Sequence, residues 1–510
     1  MHVGDEVFIA YPFAIHWGEK GPAGAAKGKT PVNQLLWGDW ARVGEISGDW
    51  IKVRSRGRDG WVRRGDLQTN RILEVNFVDV GQGDGAHIQT PDDRALIVDA
   101  GEKDNMYRFM RWRFGRFENP FTFEAAVITH PDKDHYAGFF PLFEHENVRF
   151  DTVFHNCIVE QVTAGKSTLG KSEKPAGATR KHLTGLVRTR AELKAITDSA
   201  AKRGRRLFPK LMRIADTGGR VGDFSGVLAS QQFSDPAYLP GFAPTDNRGM
   251  TIKLLGPLPA TLSNGKLGLP EFGGTGKTKN GHSVILQIEI GAVTIQLGGD
   301  LNEPSQDYLL ERYTGLKHPP HGAAAEEELV DAARAHFEAD VTKACHHGSP
   351  DISTAFLQAV NPIATVVSSG DDEPHCHPRP DTLGIIGKYG RGARPLIFST
   401  ELARSSKETI KHPYTVREEL RATLQENEAV LADPGASANA KEKAEKKINA
   451  ALKIIERSVA NYGMINLRTD GTNVVMAQRL ERDRSKRRRW DLHLFEPGQN
   501  GRLKHMSKHH

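Results

Sequence analysis

A chain of 510 residues is too long for one ordinary hydrophobic core, so two or three domains are expected. With 38% hydrophobic and 26% charged residues it reads as a globular protein, and no run nears the roughly 18 apolar residues that span a membrane. Three cysteines exclude a disulfide framework, and the opening MHVGDEVFIAYPFAIHWGEK lacks the features of a signal peptide, so a cytoplasmic location is expected. The net charge of +6 biases only mildly toward anionic partners, whereas 21 histidines are a stronger lead, imidazole being the commonest metal ligand.

Residues 1–70 hold short β-like runs broken by Gly, Pro and Asp, the pattern of a small all-β barrel. Within them, DWIKVRSRGRDGWVRRGDLQ resembles the closing strands of bacterial Src-homology-3-like domains, which dock peptides or proteins; a packing role without a ligand fits equally. From Ile72 the pattern becomes apolar runs ending in Asp, Gly or His (ILEVNFVDV, ALIVDAG, FEAAVITH), and later SVILQIEI, AVTIQLGGD, ADVTKACHH and IATVVSSG. Helix-like stretches lie between them, which predicts an α/β layered domain over 71–400. A segment at 160–248 interrupts the strands. Its residues 161–220 carry fifteen Lys/Arg against four Asp/Glu, a net of +11, so the rest of the chain is acidic on balance. Such a local charge suits either a polyanion-facing surface or a solvated loop. Beyond 400, the third region (401–510) reads as a helical hairpin around ADPGAS, then terminal strands and a basic run at 482–489.

The chemistry concentrates at strand ends, where α/β sheets place their sites. VITHPDKDH brings His130, Asp132, Asp134 and His135 within six residues, a donor set suited to Zn²⁺ or Mn²⁺. LIVDAG ends in Asp99, placed to hydrogen-bond the metal loop, and TIQLGGD ends in Asp300, a candidate bridging carboxylate. ACHHGS supplies His346 and His347, and the loop after VVSSG supplies His375 and His377. Packing alone does not explain donors at so many strand ends, because buried carboxylates and imidazoles without partners are costly. Cys345 and Cys376 sit beside histidines and read as small buried fillers. GTGKTKNG at 274–281 lacks the spacing of a phosphate loop.

Taken in order, VNFVDVGQGDGAHI with LIVDAG, THPDKDHYAGF, NGHSVILQIEIGAVTIQLGGDL, ADVTKACHHGSPDIS and VVSSGDDEPHCHPRPDTL resemble the metallo-β-lactamase superfamily. The nearest branch is the soluble domain of ComEC-type competence DNA-uptake proteins. The resemblance implies a four-layer αββα sandwich and two divalent ions, Zn or Mn. His130 and Asp132 would hold the first ion and Asp134 and His135 the second, with Asp300 bridging. One of His346 and His347 would be a further ligand and the other would face substrate; spacing does not say which. His377 would sit at the pocket mouth against the scissile or leaving group, so Asp134, Asp300 and His377 make up the expected reacting centre, and His346 and His377 the substrate contacts. Asp79 and Asp84 match positions that shape the neighbouring hairpin. Asp132 replaces the second histidine of the more familiar superfamily pattern, and the third histidine at the first ion is not evident. His282 lies near that region, as a substitute or as a surface histidine.

The expected activity is therefore metal-dependent hydrolysis through a metal-bound hydroxide, by a phosphodiesterase or nuclease cleaving DNA. A small-molecule phosphodiester, ester or lactone hydrolase is the second reading. A partner-docking protein with a vestigial metal site is the third.

Overall fold

The computed structural model describes residues 1–18, 31–370, 376–400, 413–461, 463–480, 485 and 487–506. The N-terminal region forms one seven-stranded antiparallel sheet between Glu6 and Gln68. Its own small core includes Val7, Ile9, Leu35, Val43, Ile51 and Val62.

Two larger sheets follow. One has ten strands and includes the parallel set Ala95–Ala100, Phe121–Ile128, Val148–His155 and Val221–Gly226. The other has six, among them Val293–Leu297, Val341–Lys343 and Ala364–Val367. One apolar cluster joins their facing surfaces, with Val75, Phe77, Leu96 and Val127 from the first and Ile252, Ile288, Ile295 and Val341 from the second. Helices cover the outer faces. Met106, Phe109, Phe139 and Phe208 pack against the ten-stranded sheet, and Leu309, Leu329, Phe337 and Phe356 against the six-stranded one. This agrees with the expected α/β class, and the near-continuous apolar strands are those of sheets buried on both sides.

Two regions differ from the sequence reading. The basic segment is built into the domain: helix Leu207–Thr217 buries Phe208, Leu211, Met212 and Ala215, and Val221–Gly226 becomes the edge strand beside Val148–His155. Its apolar positions recur at helical spacing, but the lysines and arginines between them mask the pattern. The boundary drawn at 400 also separates strands that one sheet joins, since Ile465–Thr469 pairs with Leu73–Phe77 and leads on to Val474–Arg479 and Trp490–Pro497. Register over that sequence distance leaves no local signal. The helical hairpin is Pro413–Ala432 and Ala438–Asn461, the second helix lying against Asn105–Arg113.

The described part of the basic run at 482–489 faces the N-terminal sheet. Arg489 donates to Asn33 Oδ1 at 2.8 Å, and the Arg487 guanidinium lies over the Trp17 ring. The buried Arg468 ties the same sheet to the domain through Trp37 O, Asp39 and Glu74.

Candidate metal centre

The parallel strands run out at one edge, and backbone conformations there aim side chains inward. Asp99 sits at a β-bulge with φ 54°, and His346 and His347 hold consecutive left-handed conformations at 51° and 54°. Each such non-glycine residue costs about 1–3 kcal/mol and persists only where its surroundings enforce it. The GQGD loop approaches so closely that a Cβ on Gly83 would lie 1.7 Å from Asp134 O, so only glycine fits at this φ of 102°.

Three imidazoles converge on Asp300. Nε2 of His135 and of His347 each lie 3.2 Å from Asp300 Oδ2, and His130 Nε2 lies 4.0 Å from it. His130 Nε2 is also 3.4 Å from Asp132 Oδ2, and His347 Nε2 is 3.6 Å from Asp134 Oδ2. The opposite ring nitrogens are anchored. His135 Nδ1 is 2.7 Å from Asp99 Oδ2, whose carboxylate also accepts from Thr129 N at 2.8 Å and Thr129 Oγ1 at 2.7 Å. His347 Nδ1 is 3.0 Å from Asp84 Oδ1 and 3.1 Å from Ser368 O. A carboxylate on Nδ1 keeps the proton there and turns the Nε2 lone pair toward the cluster, as carboxylate–histidine pairs do at metal sites.

The Nε2 atoms of His130, His135 and His347 and the Oδ1 of Asp300 are buried without a well-aligned hydrogen bond. Orphaned donors and acceptors at this depth are costly, and a cation among them satisfies all at once. Groups able to hold a metal ion are His130–His135–Asp300, Asp134–His135–His347, Asp84–Asp300–His347 and Asp84–Asp99–His135. Electrostatics agree. Burial alone would raise the Asp300 carboxyl, yet the facing imidazoles of His135, His347 and His346 hold it well below the usual carboxylate range. Burial opposes charge on His347 too, but Asp300 and Asp84 push it up to about 10. The same balance, through Asp300 and Asp99, raises His135 well above the imidazole range. The pocket therefore favours positive charge, which a divalent ion supplies in place of protons.

His130, Asp132, Asp134, His135, Asp300 and His347 thus come together with Asp99 behind them. His346 also reaches to 4.0 Å of Asp300 Oδ2 through Nε2 but is partly exposed, unlike the other three imidazoles, and the partly exposed His377 ring lies 5.7 Å from its ring. His375 lies outside the described residues. His282 belongs neither to the surface nor to the cluster. It is buried with Nε2 2.7 Å from Pro270 O, and burial pushes it down to about 4. Its ring is held at Pro270 O and lies against Phe272, so its place in the sequence misleads. Cys376 is exposed rather than a buried filler, and burial pushes the Cys345 thiol up to about 12.

Three residues of the site were not read as such from sequence. Asp84 shapes the loop and also grips His347. The Lys343 ammonium, buried, bonds to Asp84 and to Gly299 O at 2.9 Å and lies 3.8 Å from Asp300 Oδ1. A lysine inside the apolar strand VTK was the available signal, because a charge there requires a partner. Lys279, from GTGKTKNG, bonds to Asp132 and lies 3.1 Å from Glu160 Oε1.

No family model matches the chain. A curated relative, ComE operon protein 3 of Bacillus subtilis (strain 168), is 20% identical over 335 residues, 62% of this chain. The chain spans 31% of that relative's length, and the likeness supports the competence-related branch. No described helix is long and apolar enough to cross a membrane.

Proposed function

We propose that the protein is a metal-dependent hydrolase of the metallo-β-lactamase type, acting as a phosphodiesterase or nuclease on DNA. The observation that carries this reading is the convergence of three orphaned Nε2 atoms on Asp300. Two packed sheets with helices on both outer faces fit the four-layer sandwich that the motifs imply. His130, Asp132 and Asp300 would hold one divalent ion, and Asp134, His135, His347 and Asp300 the other, with Zn or Mn suited to the donor set. Such ions supply Lewis-acid chemistry, lowering the pKa of water toward neutrality and neutralising charge that builds on a phosphodiester.

The chain's own groups do the rest. Asp99 and Asp84 fix the tautomers of His135 and His347, and Lys343 offsets part of the carboxylate charge. His346 is held below the imidazole range chiefly by burial, with His347 adding to the effect, so near neutral pH it is an uncharged group able to hydrogen-bond a substrate oxygen. His377, whose ring lies 5.7 Å from that of His346, would donate to a leaving oxygen.

Support for nucleic acid comes from the motif resemblance and from the basic segment. Its helix Leu207–Thr217 packs on Lys133–Tyr136, the short helix that carries Asp134 and His135, through the ring contact of Tyr136 with Phe208. Lys202, Arg203, Arg205 and Arg206 immediately precede that contact. Lys/Arg contacts to phosphates give largely sequence-independent affinity. The N-terminal sheet is proposed as a protein- or peptide-docking module and the location as cytoplasmic.

Incubation of labelled single- and double-stranded DNA with Mn²⁺ or Zn²⁺, beside Asp134→Ala/His135→Ala, tests the reading. Metal-dependent cleavage lost in the double variant is expected. Cleavage of bis-p-nitrophenyl phosphate alone would replace the nuclease reading with a small-molecule hydrolase, and cleavage undiminished in the double variant would refute the site.

A further inference from the structure

The two halves of the centre differ in a way that the proposed reaction does not use. Asp132 has both carboxylate oxygens engaged. Oδ1 bonds to the Lys279 ammonium, and Oδ2 accepts from the Asn280 amide at 2.8 Å in that side chain's better-bonded orientation, with His130 Nε2 at 3.4 Å. Lys279 is only 12% exposed and is gripped from its other side by Glu160 Oε1 at 3.1 Å and Pro131 O at 3.4 Å. In the other half, Asp134 Oδ2 has the Gln82 amide at 3.4 Å and the imidazole of His347, itself one of the proposed ligands, at 3.6 Å, and among the described residues no lysine or arginine forms an ion pair with it. Among the described residues, Asp132 meets no histidine but His130, and His282 is committed to Pro270 O.

We infer that Lys279 is a resident cation of the first half-site, so that the two halves load in order. One divalent ion enters the Asp134–His135–His347–Asp300 half tightly. A second must displace the Lys279 ammonium from Asp132. This rests on the metal-site reading above and concerns what one lysine does to it. An ammonium and a divalent ion compete for the same carboxylate, and two cations a few ångströms apart repel strongly where water is scarce. Glu160 supplies the place to which the ammonium retreats. The side chain is long and flexible enough for that exchange without backbone movement.

The test is calorimetric titration of the metal-stripped full chain with Mn²⁺, with circular dichroism to verify folding. The wild type should show two binding events separated by at least about tenfold in affinity. Asp134→Asn should remove the tighter event and Asp132→Asn the weaker. Lys279→Met should tighten the weaker event by about tenfold or more and leave the tighter unchanged, while Lys279→Arg keeps the gap. If Lys279→Met does not fold, Lys279→Gln makes the same comparison. An unchanged gap in the neutral variants, equal affinities in the wild type, or a weaker event that survives Asp132→Asn would overturn the assignment of Lys279 while leaving the metal site standing. A folded wild type that takes up no Mn²⁺ would overturn the metal reading itself, and the ordered loading with it.

Discussion

Lys343 offers a test of the site that needs no substrate. Its ammonium is 5% exposed and neutralises Asp84, which is 8% exposed, while also donating to Gly299 O. Lys343→Met keeps most of the stem and removes the charge. Breaking one partner of a buried pair typically costs about 3–5 kcal/mol, because the other charge is left uncompensated. The Gly299 carbonyl keeps a second donor, His346 N–H at 3.1 Å, so it is not left unpaired. His347 at 3.0 Å from Asp84 recovers part of the pair's loss when it carries its proton, so a loss of about 3 kcal/mol, the low end of that range, is expected for the metal-free protein near neutral pH. Asp84→Asn in the same background should cost much less than it does alone, since the two residues share one interaction. The assay is urea unfolding of the wild type, both single variants and the double variant, followed by tryptophan fluorescence with and without Mn²⁺. A loss below about 1 kcal/mol, or strictly additive single effects, would refute the claim that this pair holds the site together.

Three further outcomes are expected. Asp99→Asn removes the carboxylate that orients His135 and should weaken Mn²⁺ or Zn²⁺ binding about 10- to 100-fold by calorimetry; unchanged affinity would contradict the role given to that bond. For pH, the folded values of His135 and His347 are raised, so their contribution is complete below the unfolded value near 6.5. The metal-free protein should therefore lose stability in thermal melts as pH climbs from about 6.5 through about 10, and metal uptake at pH 7 should release protons, seen as a buffer-dependent binding enthalpy. Converting Arg203, Arg205 and Arg206 to Gln should weaken DNA binding across sequences and reduce the salt slope by roughly one per lost phosphate contact, without altering the affinity for Mn²⁺.

Much of the centre was legible because its donors are concentrated in short motifs. HPDKDH puts four of them in one loop, and GGD and HHGS each end a strand, so residue type and local order were enough to nominate them. The roles within HHGS were not legible. Which of two adjacent histidines turns inward depends on consecutive left-handed backbone conformations enforced by the surrounding strands, and the geometry puts His347 beside Asp300 and Asp134 while His346 stands further out. His282 misled for the same reason, since closeness in sequence to a site says nothing about which way a turn points a ring.

The sequence by itself determined the alternation of apolar strands and helices, the helical hairpin about ADPGAS and the donor set, because these depend on periodicity and residue chemistry over a few neighbours. Only the tertiary structure decided that the basic segment supplies a helix and an edge strand to the domain, and that the strands after residue 463 complete the sheet begun at Leu73. It also decided that Lys343 and Lys279, far apart in the chain, lend their charges to one cluster of carboxylates. Pairing between distant strands and the neutralisation of buried charge are set by which surfaces meet in the folded chain, and no short window of residues carries that information.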